Sequence, residues 1–442
     1  MIPTGADIYD PALARMIAAF EQGGGWNEVH RSLRDALVSY ARARAPYYRR
    51  RIPPGARFEE IPLLRRQDVR EHLGDLLAEA VPSERRVEKR TSGSTGEPLL
   101  FYRDTAQGTL EEGSAHRFLL RLQGLPRDAT RVWLSTHPEP IPPELVSRFP
   151  RLARGRAALR NRLRRGDPPV HPISAITLTS RRLDRELRTW GAFRSWWLYG
   201  HASAIDRIAD EIETRGLPLP QAPKAIVTTA DDLTPPAERR LSRVFGCPIH
   251  SWYGSHEMNG YVAGTLPGTR RYAFNPFLVH VEVTDETGRP LAPGEEGMLV
   301  LTDLNNLVMP FVRYVTGDLA RMSEEGGAGA FPLIDGLAGR AADAIPLPDG
   351  RRLSVVLLGT TLFGRDGPAP HVRAFQCEEV RPRELELRVV WSPDADGEVR
   401  GRVDAEFRHL AGPGVSTRVR DVAEVERLPS GKAWIVRGLD RP

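Results

Sequence analysis

A run of small residues between positions 91 and 98 could bend closely around phosphate groups. It reads Thr91-Ser92-Gly93-Ser94-Thr95-Gly96-Glu97-Pro98, with no bulky side chain before the glutamate. Its hydroxyls and backbone N–H groups can donate hydrogen bonds to phosphate oxygens, and glycine permits the unusual backbone angles that a tight bend requires. The Gly-Lys-Ser/Thr of a Walker loop is missing. Taken alone, this composition is also typical of an ordinary flexible turn.

Two carboxylates are placed where a nucleotide site could use them. In Tyr253-Gly254-Ser255-His256-Glu257, the glutamate follows a predicted strand, at the edge of the sheet where open α/β folds bind ligands. A carboxylate there could hold Mg²⁺. In Tyr314-Val315-Thr316-Gly317-Asp318, the aspartate lies in a predicted tight turn, where it could accept two hydrogen bonds from a ribose diol. Taken alone, a glutamate after a strand is more typical of a surface side chain, and a Thr-Gly-Asp turn is common enough to indicate little.

Lysine is nearly absent, and one of the few lysines stands in a notable place. The chain has 62 Lys and Arg residues, of which only Lys89, Lys224 and Lys432 are lysine. The planar fork of arginine cannot replace a compact ammonium where a point charge must enter a tight site. Lys432 ends the stretch Leu-Pro-Ser-Gly-Lys near the end of the chain, and we predict a functional role for it.

The stretch around residues 196–203, Trp-Trp-Leu-Tyr-Gly-His-Ala-Ser, is rich in aromatic side chains. Trp197 and Tyr199 would suit a flat aryl group, although core packing explains them equally well. His201 and His256 could polarise a ring substituent; the alternative for each is a structural histidine with its hydrogen bonds satisfied.

The elements around these motifs predict a helical start followed by an α/β layer. Helical spacing runs over Leu13–Phe20 and Val29–Ala45. Further on, helices at Ala202–Arg215 and Pro236–Phe245 alternate with short apolar strands such as Ala225–Thr229. This alternation indicates a parallel sheet covered by helices.

The last part of the chain has a different pattern. Val279–Thr284 and Gly297–Thr302 predict a β-hairpin, with a turn at Asp285–Arg289. After Gly339, about a hundred residues with strands predicted at Leu385–Trp391 and Arg402–Phe407 indicate a small C-terminal domain.

Composition excludes several classes of protein. With 442 residues and 40% hydrophobic residues, the chain can bury more than one core. Two cysteines support neither a disulfide framework nor a zinc quartet. The absence of any run of about 20 apolar residues argues against a membrane span, so we expect a cytoplasmic protein. The arginine-rich segment at 149–165 lacks interleaved aromatic residues, and we expect no nucleic-acid partner.

Taken in order, these motifs resemble the adenylate-forming superfamily of acyl-CoA synthetases, adenylation domains and luciferases. They are most similar to its phenylacetate-CoA ligase and capsule-biosynthesis-type branch. The resemblance runs over nearly the whole chain and includes Glu60–Leu63, Thr228–Leu233 and Gly339–Asp343. It implies an α/β fold in which a large N-terminal domain, residues 1–338, has layered α/β sheets and a small β-barrel-like part. A small mobile α+β lid, residues 339–442, completes it.

The resemblance also implies a role for each matching residue. Glu257 would hold Mg²⁺, Tyr253 would stack on adenine, Asp318 would bind the ribose hydroxyls, Arg340 would reach the ribose or phosphate, and Lys432 would bridge the substrate carboxylate and the α-phosphate. The β- and γ-phosphates of ATP would lie against Thr91, Ser92, Gly93, Ser94, Thr95 and Gly96, and the nucleotide-binding stretches would include Asp231, Gly254 and Ser255. The acidic pair common at the hinge of the branch is Ala342-Asp343 here.

The function implied is ATP-dependent activation of a carboxylic acid, preferably aromatic, followed by transfer to coenzyme A. Transfer of the adenylate to a carrier protein, an amine or another nucleophile, including activation of an inorganic acid such as nitrite, stays open. So does a homodimer. A non-catalytic nucleotide-binding protein is the remaining alternative, and the retained Glu257, Asp318, Arg340 and Lys432 argue against it.

Overall fold

The structure is a computed structural model of the chain. It describes residues 26–79, 81–90, 99–104, 118–126, 128–135, 169–175, 178–230, 233–325, 332–340, 345–348, 352–353, 358, 362, 371–426 and 436–439. The predicted helix at 13–20, the phosphate loop at 91–96, the arginine-rich segment, Asp231 and Lys432 therefore lie outside the described residues.

The described part contains both long helices and many strands. The principal helices are α1 (Trp26–Arg44), α2 (Pro46–Arg51), α3 (Arg66–Glu71), α4 (Leu73–Leu76), α5 (Ser180–Gly191), α6 (Ala202–Thr214), α7 (Pro235–Phe245) and α8 (Gly397–Ala411). The strands are β1 (Arg86–Arg90), β2 (Leu100–Asp104), β3 (Thr130–Ser135), β4 (Val170–Ser174), β5 (Trp196–His201), β6 (Ile226–Thr229), β7 (Ile249–Ser255), β8 (Gly260–Thr265), β9 (Tyr272–Phe274), β10 (Val279–Thr284), β11 (Glu296–Asp303), β12 (Tyr314–Met322), β13 (Leu333–Arg340), β14 (Ile345–Pro346), β15 (Arg352–Leu353), β16 (Val372–Arg381), β17 (Glu384–Trp391), β18 (Ser416–Asp421) and β19 (Val436–Arg437).

The chain divides into two compact units. The first unit takes residues 1–119 and 253–341 with Pro442, and the second takes residues 120–252 and 342–441. This is a division by compactness. The functional division expected after residue 338 stays a prediction.

The first unit is built on an antiparallel sheet with strand order β10-β11-β12-β13-β9-β8. The predicted hairpin is confirmed, because β10 pairs with β11 from Val279 opposite Asp303 to Thr284 opposite Met298. The predicted helix at 29–45 is also confirmed by α1, which buries Leu37 in the core of this unit.

Two expectations about this sheet are wrong. Among the described strands of the first unit, no ladder joins β10 back to β8, so the sheet is open and the barrel-like part is not found. The Thr-Gly-Asp stretch is not a tight turn, because it lies inside β12. The register between β12 and β13 shifts beside Asp318, and Gly317 takes a φ of +87°. The chain thus bends at this glycine without leaving the strand.

A buried arginine fastens the N-terminal segment to this sheet. Both oxygens of Glu282 accept hydrogen bonds from Arg313, at 3.1 and 2.9 Å. The same guanidinium donates to the backbone oxygens of Glu59, Ile61 and Gly288 at 2.6–2.7 Å. Because the side chain of Arg313 is only 1% exposed, this charge depends on its full set of acceptors.

The second unit contains the predicted parallel layer, with strand order β4-β3-β5-β6-β7. One face of this sheet packs against the helices α5, α6 and α7. The residues that form this core include Val132, Leu134, Leu183, Trp190, Leu198, Ile205, Ile208, Ile226, Leu241 and Phe245. Helix α7 begins with a cap in which Thr234 accepts from the backbone of Ala237, and it ends at Gly246 with a left-handed φ of +58°.

The C-terminal part of the second unit has a hydrophobic core of its own. Its sheet has the strand order β18-β17-β16-β19, and α8 packs with it. The strand predicted at Arg402–Phe407 is wrong, because these residues belong to α8. Asp396 caps this helix, and Val399, Val403 and Phe407 recur at helical spacing on its buried side. Strand β18, at one end of this order, reads Ser-Thr-Arg-Val-Arg-Asp and is largely exposed.

Among the described helices, none combines the length and the apolar character that crossing a bilayer requires.

A pair of buried histidines joins α1 to β10 in the first unit. His30 Nδ1 donates to the backbone oxygen of Pro276 at 2.8 Å, so its Nε2 is left to accept from His280 Nδ1 at 3.0 Å. Burial, together with His30, Arg34 and Arg313, holds the pKa of His280 well below its ordinary value. Burial also lowers the pKa of His30, although its bond to Pro276 opposes this. Both rings are therefore neutral in the folded protein near neutral pH.

Because this histidine pair is buried and neutral, we predict that the folded protein loses stability in mild acid. Below about pH 6.5 the unfolded chain binds protons on these histidines and the folded chain does not, so the free energy of unfolding falls as the pH falls. Each histidine removes at most about 1.4 kcal/mol per pH unit. Urea unfolding followed by circular dichroism at about pH 7.5 and about pH 5.5 measures the effect. His280→Asn, whose amide can still donate to His30, should weaken the pH dependence, and an unchanged dependence would contradict this account.

Candidate active site

Glu257 lies in a sharp turn between β7 and β8. The turn requires glycine at position 254, because a Cβ there would lie 2.2 Å from the backbone oxygen of Gly260. Ser255 stabilises it, since its Oγ accepts from the backbone N–H of Met258 at 3.2 Å. Glu257 itself is only 8% exposed. The motif Tyr-Gly-Ser-His-Glu thus turns the chain and buries a carboxylate at the same point.

Two side chains orient the carboxylate of Glu257. Tyr314 Oη donates to Oε1 at 3.0 Å, and Arg66 Nη1 lies 3.7 Å from the same oxygen. Among the described residues, the side-chain hydrogen bond to this carboxylate goes to Oε1. One carboxylate oxygen is therefore held while the other can meet a cation.

The backbone of Glu257 is held as well. Arg103 donates to its carbonyl oxygen at 2.8 Å and forms a buried ion pair with Asp303 at 2.5 Å. No motif in the sequence assigns a role to Arg103, Arg66 or Tyr314. Tyr314 is the first residue of the motif that ends at Asp318, and Arg66 closely follows the Glu60–Leu63 stretch. Proximity to these motifs is the only feature of the sequence that could have indicated a role for either residue.

The second predicted carboxylate, Asp318, is joined directly to Tyr253. Tyr253 Oη donates to Asp318 Oδ2 at 2.5 Å. Burial, and next the charge of Asp318, raise the pKa of Tyr253 well above its ordinary value, so the phenol keeps its proton. The backbone N–H of Asp318 donates to Thr316 Oγ1 at 3.1 Å. The structure therefore brings together two residues that the sequence assigned to one nucleoside.

Arg340 stands opposite Asp318 in the pairing of β12 with β13. This register places the two backbones across from each other; the prediction is that Asp318 binds the ribose hydroxyls and that Arg340 reaches the ribose or phosphate.

The predicted pocket residues occupy different surroundings. Trp197 is fully buried and Tyr199 is 5% exposed, and their ring centroids lie 6.0 Å apart. The ring of Trp252 lies 5.8 Å from Trp197 and 5.3 Å from Tyr199, so the second unit holds a cluster of three aromatic rings. His201 ends the same strand and is partly buried. His256, in the first unit, is exposed.

The surroundings of Glu257 suit a magnesium ion that is bound by one protein carboxylate and by phosphate oxygens of the substrate. Mg²⁺ is usually held by one or two carboxylates, its remaining positions being filled by water and substrate phosphates. Within the described residues, no group of three or more His, Cys, Asp or Glu side chains could enclose a metal on its own. Glu257, with one oxygen available, fits the first type of site.

Comparison with known proteins adds one sequence relative. No protein-family profile matches the chain. Phenylacetate-coenzyme A ligase of Thermus thermophilus is 26% identical over 314 residues, which are 65% of this chain and 64% of that protein. The chain thus spans just under two thirds of the length of this relative.

Solved structures match over more of the chain. 2-Hydroxyisobutyryl-CoA ligase, in its postadenylation state with an acyl adenylate, is 18% identical with a TM-score of 0.70, covering 93% of this chain and 89% of that one. An anthranilate CoA ligase in complex with anthranoyl-AMP is 15% identical with a TM-score of 0.54, covering 78% and 65% respectively. These similarities confirm the resemblance drawn from the motifs: the chain has the fold of the adenylate-forming ligases and is similar in sequence to their phenylacetate-CoA ligase branch.

Proposed function

We propose that the chain is an ATP-dependent, AMP-forming ligase that activates a carboxylic acid as its adenylate and then transfers the acyl group to coenzyme A. The observation that carries the proposal is the presence of two oriented carboxylates in one unit. Tyr314 and Arg66 orient Glu257, and Tyr253 orients Asp318. The ligases with the same fold support the choice of reaction.

In the first step, an oxygen of the acid attacks the α-phosphorus of ATP. A new phosphorus–oxygen bond forms, the bond to the bridging oxygen breaks, and pyrophosphate leaves with that electron pair. Mg²⁺, when bound at Glu257, would neutralise charge on the phosphates. Asp318 would accept hydrogen bonds from the ribose, with Tyr253 holding one carboxylate oxygen in place.

Lys432 would act at the reacting centre. Its ammonium would contact both the attacking carboxylate and the α-phosphate, where charge is redistributed in the transition state. We assign it to a lid formed by residues 339–442. The separate hydrophobic core of β16, β17 and α8 supports this assignment, because a domain that moves as a body needs a core of its own.

For the acid, we propose an aromatic carboxylate. The cluster of tilted rings formed by Trp197, Tyr199 and Trp252 supports this choice, because aromatic side chains provide flat apolar surface for an aryl group. Arg131 adds a cation near this cluster, with its guanidinium carbon 5.5 Å from the centre of the Tyr199 ring.

The reaction is tested by pyrophosphate release with a panel of aryl, aliphatic and inorganic acids, each with and without coenzyme A. We expect release with an aryl acid and a coenzyme A thioester only when the thiol is supplied. Pyrophosphate release that is not followed by formation of a coenzyme A thioester would point to a different acceptor, such as a carrier protein or an amine. No release with any acid would contradict the proposal.

Replacing Lys432 distinguishes an effect on adenylate formation from an effect on ATP binding. Lys432→Ala should reduce adenylate formation by about a hundredfold or more and leave ATP affinity close to that of the wild type, because its contact is made in the transition state. Pyrophosphate exchange and ATP titration measure the two effects. Lys224→Ala, which removes an exposed lysine, is the matched control. Normal turnover of Lys432→Ala would remove this residue from the mechanism.

The bond between Tyr253 and Asp318 should contribute to ATP binding. Tyr253→Phe removes the donor and leaves the ring, so the dissociation constant of ATP should rise about fivefold to tenfold, which corresponds to one lost hydrogen bond. Isothermal titration measures it. Tyr40→Phe, which also loses one hydrogen bond, from Tyr40 Oη to the backbone of Leu307, serves as control. If Tyr253→Phe and Tyr40→Phe bound ATP with equal affinity, the proposed contact of Asp318 with the ribose would be contradicted.

A further inference from the structure

Arg103 of β2 joins two other segments of the first unit through a single nitrogen. Its Nη2 donates to the backbone oxygen of Glu257 at 2.8 Å and to Asp303 Oδ2 at 2.5 Å. Arg103 is 3% exposed and Asp303 is 2% exposed, so both charges are buried. Because a buried charge is stable only with its partners in place, any shift of the turn at Glu257 would take an acceptor away from the guanidinium.

The loop that follows β11 fixes both ends of this arginine side chain. Asp303 Oδ1 accepts from the backbone N–H of Asn305 at 3.0 Å, which leaves Oδ2 to bind Arg103. In the same loop, Asn306 Nδ2 donates to the backbone oxygen of Tyr102 at 3.0 Å. The loop thus binds β2 at two consecutive residues, so Arg103 leaves a fixed backbone and ends at a fixed carboxylate.

The turn between β7 and β8 is shaped locally by short-range bonds. The backbone N–H of Met258 donates to Ser255 Oγ at 3.2 Å, and that of Asn259 donates to the backbone oxygen of His256 at 3.1 Å. Both bonds join residues three apart, so they set the shape of the turn and not its place in the molecule. The bond from Arg103 ties the turn to a different strand.

We propose that Arg103, held by Asp303, is a positioning residue that places Glu257 for binding of Mg²⁺. This inference rests on the proposed function, in which Glu257 holds the ion beside the phosphates of ATP. Tyr314 orients the carboxylate of this glutamate, and Arg103 holds its backbone. Mg²⁺ demands near-ideal octahedral geometry, with oxygens at about 2.0–2.1 Å, so a displaced carboxylate binds it poorly. Groups that hold a metal ligand in place typically contribute about tenfold to a hundredfold to metal affinity.

The chemistry of position 103 supports a role beyond stability. A buried ion pair can often be replaced by uncharged residues of similar volume without loss of stability. Phe101, two residues earlier on the same face of β2, lies in the hydrophobic core, so an apolar side chain would also suit this face. Only a donor can bind the backbone oxygen of Glu257, however, and the guanidinium of Arg103 supplies it.

The experiment replaces Arg103 in the full-length protein and uses two measurements. In the protein without ligands, Arg103→Met should speed hydrogen exchange at the amides of Met258 and Asn259 by about tenfold, because the turn loses a bond to a charged donor. In calorimetric titrations with ATP at a series of Mg²⁺ concentrations, the Mg²⁺ concentration that gives half of the effect on ATP affinity should rise by about tenfold. The ATP affinity without Mg²⁺ should stay within about twofold of wild type.

Two further variants separate positioning from stability. Arg103→Met combined with Asp303→Asn removes both buried charges, and the amide oxygen can still accept from Asn305. This double variant should be more stable than Arg103→Met and yet keep the fast exchange and the raised Mg²⁺ requirement. Arg85→Met is the matched control, because it breaks the ion pair with the buried Asp104, the residue that follows Arg103. It should leave both measurements at the wild-type values.

Three results would overturn the role of Arg103. These are unchanged exchange in Arg103→Met, recovery of wild-type exchange and Mg²⁺ dependence in the double variant, and equal changes in Arg103→Met and Arg85→Met. If Mg²⁺ had no effect on ATP binding by the wild-type protein, the proposed function would be contradicted, and the inference with it. The exchange measurement needs neither ATP nor an acid substrate, so failure of the role of Arg103 is distinguishable from failure of the proposed function.

Discussion

The ion pair between Arg313 and Glu282 is the constraint on which the first unit depends. A buried guanidinium must satisfy its donors inside the protein, and Arg313 does so by drawing the N-terminal segment onto the sheet. The result is a short parallel contact in which Leu64 exchanges backbone hydrogen bonds with Arg313 and Val315 on either side of Tyr314. Arg66, two residues further on, then lies within reach of the glutamate that Tyr314 binds.

The same principle recurs in the second unit. Glu386 is buried and is paired with Arg388 and Arg418, so a charged layer lies beside the hydrophobic core of the C-terminal sheet. In both units, buried charges specify which segments meet, and apolar contacts provide the bulk of the stabilisation. In the first unit, Tyr314, which donates to Glu257, directly follows the buried Arg313 in the chain.

The sequence predicted the elements with strong periodicity. The helices α1, α6 and α7 and the hairpin of β10 and β11 follow from spacing and turn residues, which are local properties. The strand predicted at 402–407 failed because a short window of alternating residues hid a helical repeat that starts at the cap of α8. The open sheet in place of a barrel is a matter of long-range pairing, which no local pattern encodes. For the candidate site, motifs predict Glu257, Tyr253 and Asp318, whereas the contacts of Tyr314 and Arg66 with Glu257 are visible only in the tertiary structure.

The exposed strand β18 has a consequence for the behaviour of the protein at high concentration. An outer strand offers unpaired backbone groups, which in many proteins recruit a strand from another molecule. The arginines at 418 and 420 are about three-fifths exposed, so positive charges stand along this strand. A second copy that approached in the same register would bring like charges together. The arginines of this strand therefore oppose edge-to-edge pairing of two copies in that register.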